Sequence, residues 1–166
     1  MSRKNPKRSR SNQNRKQSQR QTVGNEIEVD IVGMAHGGSG LGKYRGRTVF
    51  VPYTIPGERV QGKIVHSSKH VDFVEGTRLQ VASSDRVIPP CPHFGQGACW
   101  GCQWQHIDYS VQLLLKQEVL GEQLLRLGHF SEKSILDVWQ STIPSPQQWN
   151  YNEHVTFEVR EDGQLG

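Results

Sequence analysis

The chain has 166 residues, of which 34% are hydrophobic, and it carries a formal net charge of +4. This length suits one ordinary domain or two small ones with a modest core. The sequence has no long apolar run and no apolar stretch behind its basic N-terminus, so it predicts neither a transmembrane helix nor a secretory signal. We expect a cytoplasmic protein without a membrane partner.

The positive charge is concentrated at the N-terminus. Residues 1–20 hold eight Lys and Arg and no acid, whereas the rest of the chain holds 12 Lys and Arg against 16 Asp and Glu. A segment composed mainly of Arg, Lys, Ser, Asn and Gln cannot bury enough apolar area to order itself. We therefore expect residues 1–22 to be a disordered basic tail, which either contacts phosphate groups without sequence preference or only improves solubility.

Residues 23–82 have the pattern of a small all-β domain. Ile27 and Val29 belong to an apolar series that alternates with acids, as in a half-buried strand. Pro56 and Gly57 predict a turn, because Pro fixes φ and Gly accepts a positive φ. Short strands without an intervening helix predict a closed barrel of the OB type. The candidate strands are 27–31, 47–52, 59–66, 70–74 and 78–81.

Residues 37–42 read Gly-Gly-Ser-Gly-Leu-Gly and contain a Gly-x-Gly-x-Gly string. Such strings bind nucleotides or S-adenosylmethionine when they follow a buried strand and open a helix. Here the preceding strand is half exposed, and the residues that follow have no helical pattern. We favour a flexible hairpin of the barrel, in which glycines permit a sharp bend or a close backbone approach.

Basic residues are interleaved with an aromatic residue beside this glycine-rich stretch. The four residues are Lys43, Tyr44, Arg45 and Arg47. Single-stranded nucleic acid is bound by positive charge for phosphate and by flat rings on which bases stack. On an OB-type barrel this combination predicts RNA binding. The alternative is a solvated turn that happens to be basic.

All three cysteines, Cys91, Cys99 and Cys102, lie in the irregular segment 83–108. An odd number of clustered cysteines argues against a disulfide scaffold and favours metal ligation. Three thiolates are one short of a four-coordinate site. Either His93 or His106 completes a Cys3His zinc site, or a fourth cysteine outside this sequence completes an iron–sulfur cluster. The third possibility is three inert, buried thiols.

The sequence turns helical from Ser110 to Leu127. Asp108 or Ser110 can cap the start, and Gly128 can end the helix in the left-handed conformation. Beyond it, residues 131–166 predict a linker followed by a strand around 155–159. The apolar face expected to be buried comprises Val111, Leu114, Leu115, Leu120, Leu124 and Leu127.

Two motifs resemble a known family. Val-Gly-Met-Ala-His-Gly-Gly-Ser-Gly at 32–40, Val-Phe-Val-Pro at 49–52 and Pro-Gly-Glu at 56–58 resemble a TRAM domain. The Cys-Pro-His-Phe-Gly stretch from Cys91, with Cys-x-Gly-Cys-x-x-Gln-His from Cys99, resembles the cluster region of bacterial 23S rRNA (uracil-5)-methyltransferases. The resemblance runs from about Glu26 to Gly166.

The resemblance implies several functional assignments. Cys91, Cys99 and Cys102 would be three ligands of a 4Fe–4S cluster, with the fourth further downstream. Residues 109–166 would be a helix and the start of a truncated α+β central domain. The catalytic cysteine and the S-adenosylmethionine site would lie in a C-terminal domain, so we expect this chain alone to be inactive. RNA, specifically rRNA, is the implied partner, and we expect a monomer.

The chain departs from the family pattern at three points. The spacing between Cys91 and Cys99 is longer than usual, and Trp100 stands where glycine is usual. Tyr151-Asn152-Glu153-His154 lacks the arginine of the corresponding motif, which removes an RNA or structural contact. The sequence therefore predicts a mainly β, RNA-binding and iron–sulfur part of an rRNA (uracil-5)-methyltransferase. The alternative is a stand-alone RNA-binding module with a Cys3His zinc site and no catalysis.

Overall fold

A computed structural model describes residues 22–97, 99, 101–154, 159 and 163. The predicted basic tail lies almost wholly outside the described residues, and so does most of the strand expected around 155–159. The elements in chain order are β1 (Glu26–Met34), β2 (Gly40–Tyr44), β3 (Arg47–Val51), β4 (Arg59–Ser67), β5 (Val71–Val81), α1 (Tyr109–Arg126) and α2 (Glu132–Leu136).

The five strands form a closed barrel in the order β1-β2-β3-β5-β4. Neighbouring strands pair antiparallel except for β3 and β5, which run parallel with Phe50 opposite Phe73. No helix interrupts the chain between β1 and β5. The OB-like barrel expected for residues 23–82 is therefore confirmed.

The barrel is filled by the apolar residues of the alternating strands. From Glu26 to Ile31 in β1, the odd positions point inward and the acidic even positions point to solvent. Because successive side chains of a strand face opposite sides, one alternating sequence supplies both the core and the solvated surface. Each fully buried Val or Ile stabilises the fold by about 1.5–3 kcal/mol. The interior residues are Ile27, Val29, Ile31, Val49, Val51, Val60, Ile64 and Val74.

The glycine-rich stretch contains a strand that the sequence analysis missed. Gly40 and Gly42 are inward positions of β2, where the barrel wall passes close to β1. A Cβ atom on Gly42 would collide with the side chain of Val29 and lie 2.7 Å from the carbonyl oxygen of Asp30. Glycine is required there by close approach rather than by flexibility, and no helix follows the stretch.

The last part of the barrel also differs from expectation. The strands predicted at 70–74 and 78–81 are one continuous strand, β5, of 11 residues. Gly76 pairs with Gly62 of β4, and register shifts on either side bend the ribbon without interrupting it. Bulges of this kind raise the local twist, which allows a long hairpin to wrap around a narrow barrel.

Helix α1 packs against the end of the barrel and begins where the sequence predicted. The Asp108 carboxylate accepts a hydrogen bond of 2.9 Å from the backbone N–H of Ser110, which caps the helix. A second core forms there from Met34, Ile55, Ile107 and Leu115, with Trp104, Val111 and Val119 at its edge.

Two expectations for the helical region were wrong. Leu115 is the one α1 residue that is fully buried, whereas Leu114, Leu120 and Leu127 are exposed. The left-handed residue after α1 is His129, with φ of 54°, and not Gly128. A Cβ on Gly128 would lie 2.8 Å from the carbonyl oxygen of Leu124, so close packing selects that glycine.

The segment expected to be a linker also contains a second, short helix, α2. The side chain of Ser131 caps it by accepting a hydrogen bond of 3.1 Å from the backbone N–H of Ser134. Among the described residues, no helix has the length and apolar character needed to cross a membrane.

Candidate nucleic-acid interface

The β2–β3 hairpin presents two exposed cations. Its two-residue loop is Arg45-Gly46, and both residues have positive φ, at 49° and 79°. These angles are typical of a type I′ turn, which matches the twist of the flanking strands. Lys43 and Arg45 are exposed, and the Arg45 guanidinium lies 5.2 Å from the centroid of the Tyr44 ring. The hairpin therefore offers two cations to solvent. The Tyr44 ring is half-buried and packs against the barrel core, so the prediction that it is an exposed stacking ring is corrected.

Arg47 does not belong to this exposed set. Its side chain has no solvent exposure and donates two hydrogen bonds of 2.7 Å to the carboxylate of Asp72. The position follows from strand alternation, because Arg47, Val49 and Val51 share the inward face of β3. The prediction that Arg47 contacts RNA is corrected here, since a buried and fully paired guanidinium is not available to phosphate.

Arg47 instead positions a second pair of basic residues. Its guanidinium donates to the backbone carbonyl oxygens of Ser68, at 2.7 Å, and Lys69, at 3.0 Å. These bonds hold the β4–β5 turn next to the start of β3. Lys69 and His70 of that turn are exposed, so they join Lys43 and Arg45 at one end of the barrel. We name these four residues the basic end.

Lys69 and His70 were not predicted, because a pair of basic residues in a short turn has no distinctive pattern. One sequence signal could have predicted their position. An arginine at an inward strand position requires a buried acid as its partner, and that acid brings the neighbouring turn to the arginine. That acid is Asp72, two residues beyond His70. The hydrogen bonds from Arg47 hold the pKa of Asp72 below its usual value, and those to Asp72 raise the pKa of Arg47.

Acidic residues occupy a different side of the barrel. Glu26, Glu28 and Asp30 all point outward from β1. Arg59 on β4 lies 2.6 Å from the Asp30 carboxylate and 3.8 Å from that of Glu28. Arg59 and Lys63 of β4 lie opposite Asp30 and Glu26, so charges of both signs are mixed on this side. The four residues of the basic end include no acid, and a polyanion would be attracted to them.

A buried ion pair joins the barrel to the segment that carries the cysteines. Glu58 is almost completely buried, and Arg86 donates to its two carboxylate oxygens at 2.6 and 2.7 Å. Arg86 also donates to the carbonyl oxygen of Tyr53 at 2.9 Å. Tyr53 has a positive φ of 60°, which is unusual for a residue other than glycine. The Glu58 and Arg86 contacts hold it in that conformation.

Three rings pack together where the barrel meets this segment. The ring of Phe94 lies 5.3 Å from that of Tyr53 and 5.5 Å from that of His106. His106 is buried, and neither ring nitrogen has a hydrogen bond of normal geometry within the described part of the chain. Burial, with a smaller contribution from the positive charge of Arg86, lowers the pKa of His106 to about 4. His106 is therefore neutral at pH 7.

The three cysteines are free and lie on one irregular loop. The backbone of Cys91 donates to the Gln105 side chain, and that of Cys99 donates to the carbonyl oxygen of His93 at 2.9 Å. The N–H of Gly101 points to the Cys99 sulfur at 3.4 Å. Burial, and after it the nearby charges of Cys99 and Cys102, raise the pKa of Tyr53.

The donor chemistry of this loop fits an iron–sulfur cluster only in part. It supplies three thiols and a backbone N–H directed at the Cys99 sulfur, and sulfur donors are the ligands of such clusters. Within the described residues, however, no three Cys, His, Asp or Glu side chains converge on one point where they could hold a metal ion. The loop would have to rearrange for three sulfurs to share one cluster.

Comparison with known proteins identifies the barrel and its relatives. Residues 20–71 match the TRAM domain family. The chain is 34% identical over 139 residues to an uncharacterized RNA methyltransferase of Protochlamydia amoebophila, which covers 84% of this chain and 30% of that protein. It is 33% identical over 153 residues to one of Streptomyces coelicolor, covering 87% of this chain and 33% of the relative.

A third relative, from Listeria monocytogenes, is 39% identical over 125 residues, which cover 75% of this chain and 26% of that protein. It too is named an uncharacterized RNA methyltransferase. The chain thus spans about a third or less of the length of these relatives. The similarity extends past the barrel and through the cysteine segment.

Proposed function

The chain contains a TRAM domain and is related over most of its length to proteins named RNA methyltransferases, and from that premise we propose that it binds RNA for such an enzyme. The observation that carries this proposal is the basic end of the closed barrel. Lys43, Arg45, Lys69 and His70 are exposed together there, away from the acidic side of β1. A phosphate backbone is attracted to such a surface, and its binding releases counterions.

The salt dependence of binding tests this proposal. Replacing Lys43 and Arg45 with Ala removes two phosphate contacts, so affinity for single-stranded RNA should fall and the slope of log K against log salt should flatten by about 1.4. The measurement is fluorescence anisotropy of a labelled RNA at several salt concentrations.

A matched control removes two exposed cations that lie elsewhere, Lys63 on β4 and Arg126 at the end of α1. That variant should keep the wild-type slope. Equal slopes for the two double variants would show that the hairpin is only a solvated turn.

We further propose that the whole protein methylates carbon 5 of a uridine in rRNA. The support is the resemblance of the cysteine region to rRNA (uracil-5)-methyltransferases, together with the relatives' names. S-adenosylmethionine, when bound, would supply the methyl group. The residues of this chain would bind the RNA and orient it. Transfer of labelled methyl groups to rRNA by the whole protein, followed by nucleoside analysis, tests the substrate and the position.

We also propose that Cys91, Cys99 and Cys102 are ligands of a 4Fe–4S cluster in the whole protein. Their support is thiolate donor chemistry on one loop, the N–H of Gly101 directed at sulfur, and the family resemblance. The cluster would brace the loop against the barrel. Methyl transfer to uridine needs no electron, so a structural role is favoured over a redox role.

One observation supports a second candidate, an RNA-binding module with a zinc site. His106 is a buried residue whose ring nitrogens form no hydrogen bond of normal geometry with the described residues, and a neutral imidazole nitrogen is a good zinc ligand. With the three cysteines it would give a Cys3His set. The iron and zinc contents of the whole protein distinguish the two candidates.

A further inference from the structure

A row of three rings crosses the outer face of the barrel next to the basic end, with Phe73 and His66 exposed and Phe50 half-buried. Phe50 of β3 stacks on Phe73 of β5, with centroids 5.4 Å apart and planes inclined by 22°. His66 of β4 lies on the other side of Phe73, with centroids 5.7 Å apart. Phe73 is 42% exposed. We call Phe50, Phe73 and His66 the aromatic strip.

The strands place these rings on one surface. Phe50 alternates with the inward Val49 and Val51, and the parallel β3–β5 pairing sets it directly opposite Phe73. His66 faces Phe73 because the β4–β5 register shifts between Ile64 and His66. A bulge of this kind redirects a side chain. The strip is thus a product of the barrel's pairing across three strands.

An exposed phenylalanine that stacks on a half-buried one outside the core needs an explanation. The interior is already filled by Val and Ile, so these rings do not stabilise it. A flat π surface suits another flat ring, and every nucleobase has one. Exposed aromatic rings beside cations are the usual composition of a single-strand binding surface.

Charge around the strip favours a polyanion. On β2, Lys43 pairs with Thr48, two residues before Phe50 on the same outward face. Lys69 and His70 lie in the turn between His66 and Phe73. Glu75, two residues after Phe73, is exposed and marks the limit of the surface. Phosphates would lie toward the basic end while bases reach the rings.

We propose that the aromatic strip stacks unpaired bases of single-stranded RNA, with its phosphates on the basic end. The proposal deepens and rests on the proposed RNA binding of this chain. It names the ligand as unpaired rather than double-helical RNA, because bases inside a duplex already stack on each other and do not offer their faces.

The test compares ring and non-ring substitutions at Phe73 in the 166-residue chain. Phe73→Leu keeps an apolar side chain but removes the flat ring, whereas Phe73→Tyr keeps the ring. Affinity for a single-stranded oligouridine should fall roughly tenfold in Phe73→Leu and stay within about twofold of wild type in Phe73→Tyr. Binding to an RNA duplex should be similar in all three proteins. Equal melting temperatures show that the fold is intact, and Phe130→Leu provides an exposed ring outside the barrel as control.

The outcomes separate this proposal from the one on which it rests. If wild type binds single-stranded RNA with the expected salt slope but Phe73→Leu binds equally well, the strip is not a stacking surface and RNA binding stands. If Phe73→Tyr loses as much affinity as Phe73→Leu, the ring is not the recognised feature and the proposal falls. If wild type binds no RNA, both proposals fail. If Phe73→Leu loses as much affinity for duplex RNA as for single-stranded RNA, the strip recognises the shape of RNA and not its unpaired bases. That result would also overturn the proposal.

Discussion

Arg47 and Asp72 form an ion pair whose two side chains have no solvent exposure. Burying two charges is costly, and the cost is offset only when geometry is good and the remaining donors are paired. Here the guanidinium forms two bonds with the carboxylate and further bonds with Ser68 and Lys69. Ser67 donates a third hydrogen bond to the same carboxylate. Both charged groups of the pair are therefore hydrogen-bonded. Removing either partner would leave the other charge buried without a counter-charge and destabilise the fold.

We expect Arg47→Ala to lower the free energy of unfolding by about 3–5 kcal/mol, because it leaves the Asp72 carboxylate buried without its partner. Arg47→Lys should recover only part of this, since an ammonium cannot form the two parallel bonds. Urea unfolding followed by circular dichroism measures both. Arg59→Ala, which breaks an exposed pair with Asp30, serves as the control and should change the midpoint little. A small effect of Arg47→Ala would mean that the pair contributes little to the barrel.

His106 should make stability depend on pH. The unfolded histidine binds a proton near pH 6.5, whereas burial lowers the pKa in the folded protein to about 4. Stability is then full above pH 6.5 and declines as pH falls toward 4, by up to about 3 kcal/mol. Unfolding measured at several pH values should show this decline in wild type and a shallower one in His106→Phe. An unchanged slope in the variant would assign the effect to other groups.

Lys43 and Arg45 could be predicted as exposed cations from the sequence because a turn between two strands exposes its residues wherever the barrel lies. The burial of Arg47 was not predicted, although its alternation with Val49 and Val51 indicates an inward position. What the sequence does not contain is the pairing of β3 with β5, which brings Asp72 to it across 25 positions. A contact of that separation depends on topology and not on local pattern.

At the scale of elements, a strand in which apolar and polar residues alternate strictly could be predicted from the sequence. A strand with glycines at its inward positions could not. β1 was recognisable because one face is apolar and the other acidic. β2 has glycines inside, so it lacks the apolar period that reveals a strand. The short α2 was missed for a related reason, since five residues are too few to establish a helical period.

Gly42 and Gly33 both lie in the first half of the barrel but in different environments. Replacing each with Ala therefore tests the importance of close packing. Gly42→Ala should destabilise the barrel by about 1–3 kcal/mol, because its Cβ would collide with Val29 and Asp30. Gly33→Ala meets nothing within 4 Å and has no positive φ, so it should be neutral or slightly stabilising. Thermal unfolding of both variants checks the pair. Equal melting temperatures would indicate that β1 and β2 separate easily at this point.

At the scale of the whole molecule, the metal distinguishes the two candidate functions. We expect the whole protein, purified without oxygen, to be brown and to contain four irons and four sulfides per chain as one cluster. Cys91→Ser, Cys99→Ser or Cys102→Ser should each remove the colour and lower the melting temperature, because metal binding and folding are coupled. The measurement is the iron and zinc content per chain of the wild type and of His106→Phe, the variant that distinguishes the two candidates.

The two results differ clearly. A cluster held by cysteines keeps its iron in His106→Phe. A colourless protein with one zinc per chain, which His106→Phe loses, would instead indicate the Cys3His module. His93→Gln distinguishes the other histidine in the same experiment.

The parallel β3–β5 pairing has a consequence for how the barrel assembles. Short turns connect β1, β2 and β3, and another connects β4 and β5. We expect these local contacts to form before the distant ones. The β3–β5 and β1–β4 pairings then join the two groups through contacts that are distant in sequence. Closing such loops costs chain entropy that local hairpins do not incur. The Arg47–Asp72 pair lies at this seam, so we expect closure of the barrel to depend on charge pairing as well as on apolar burial.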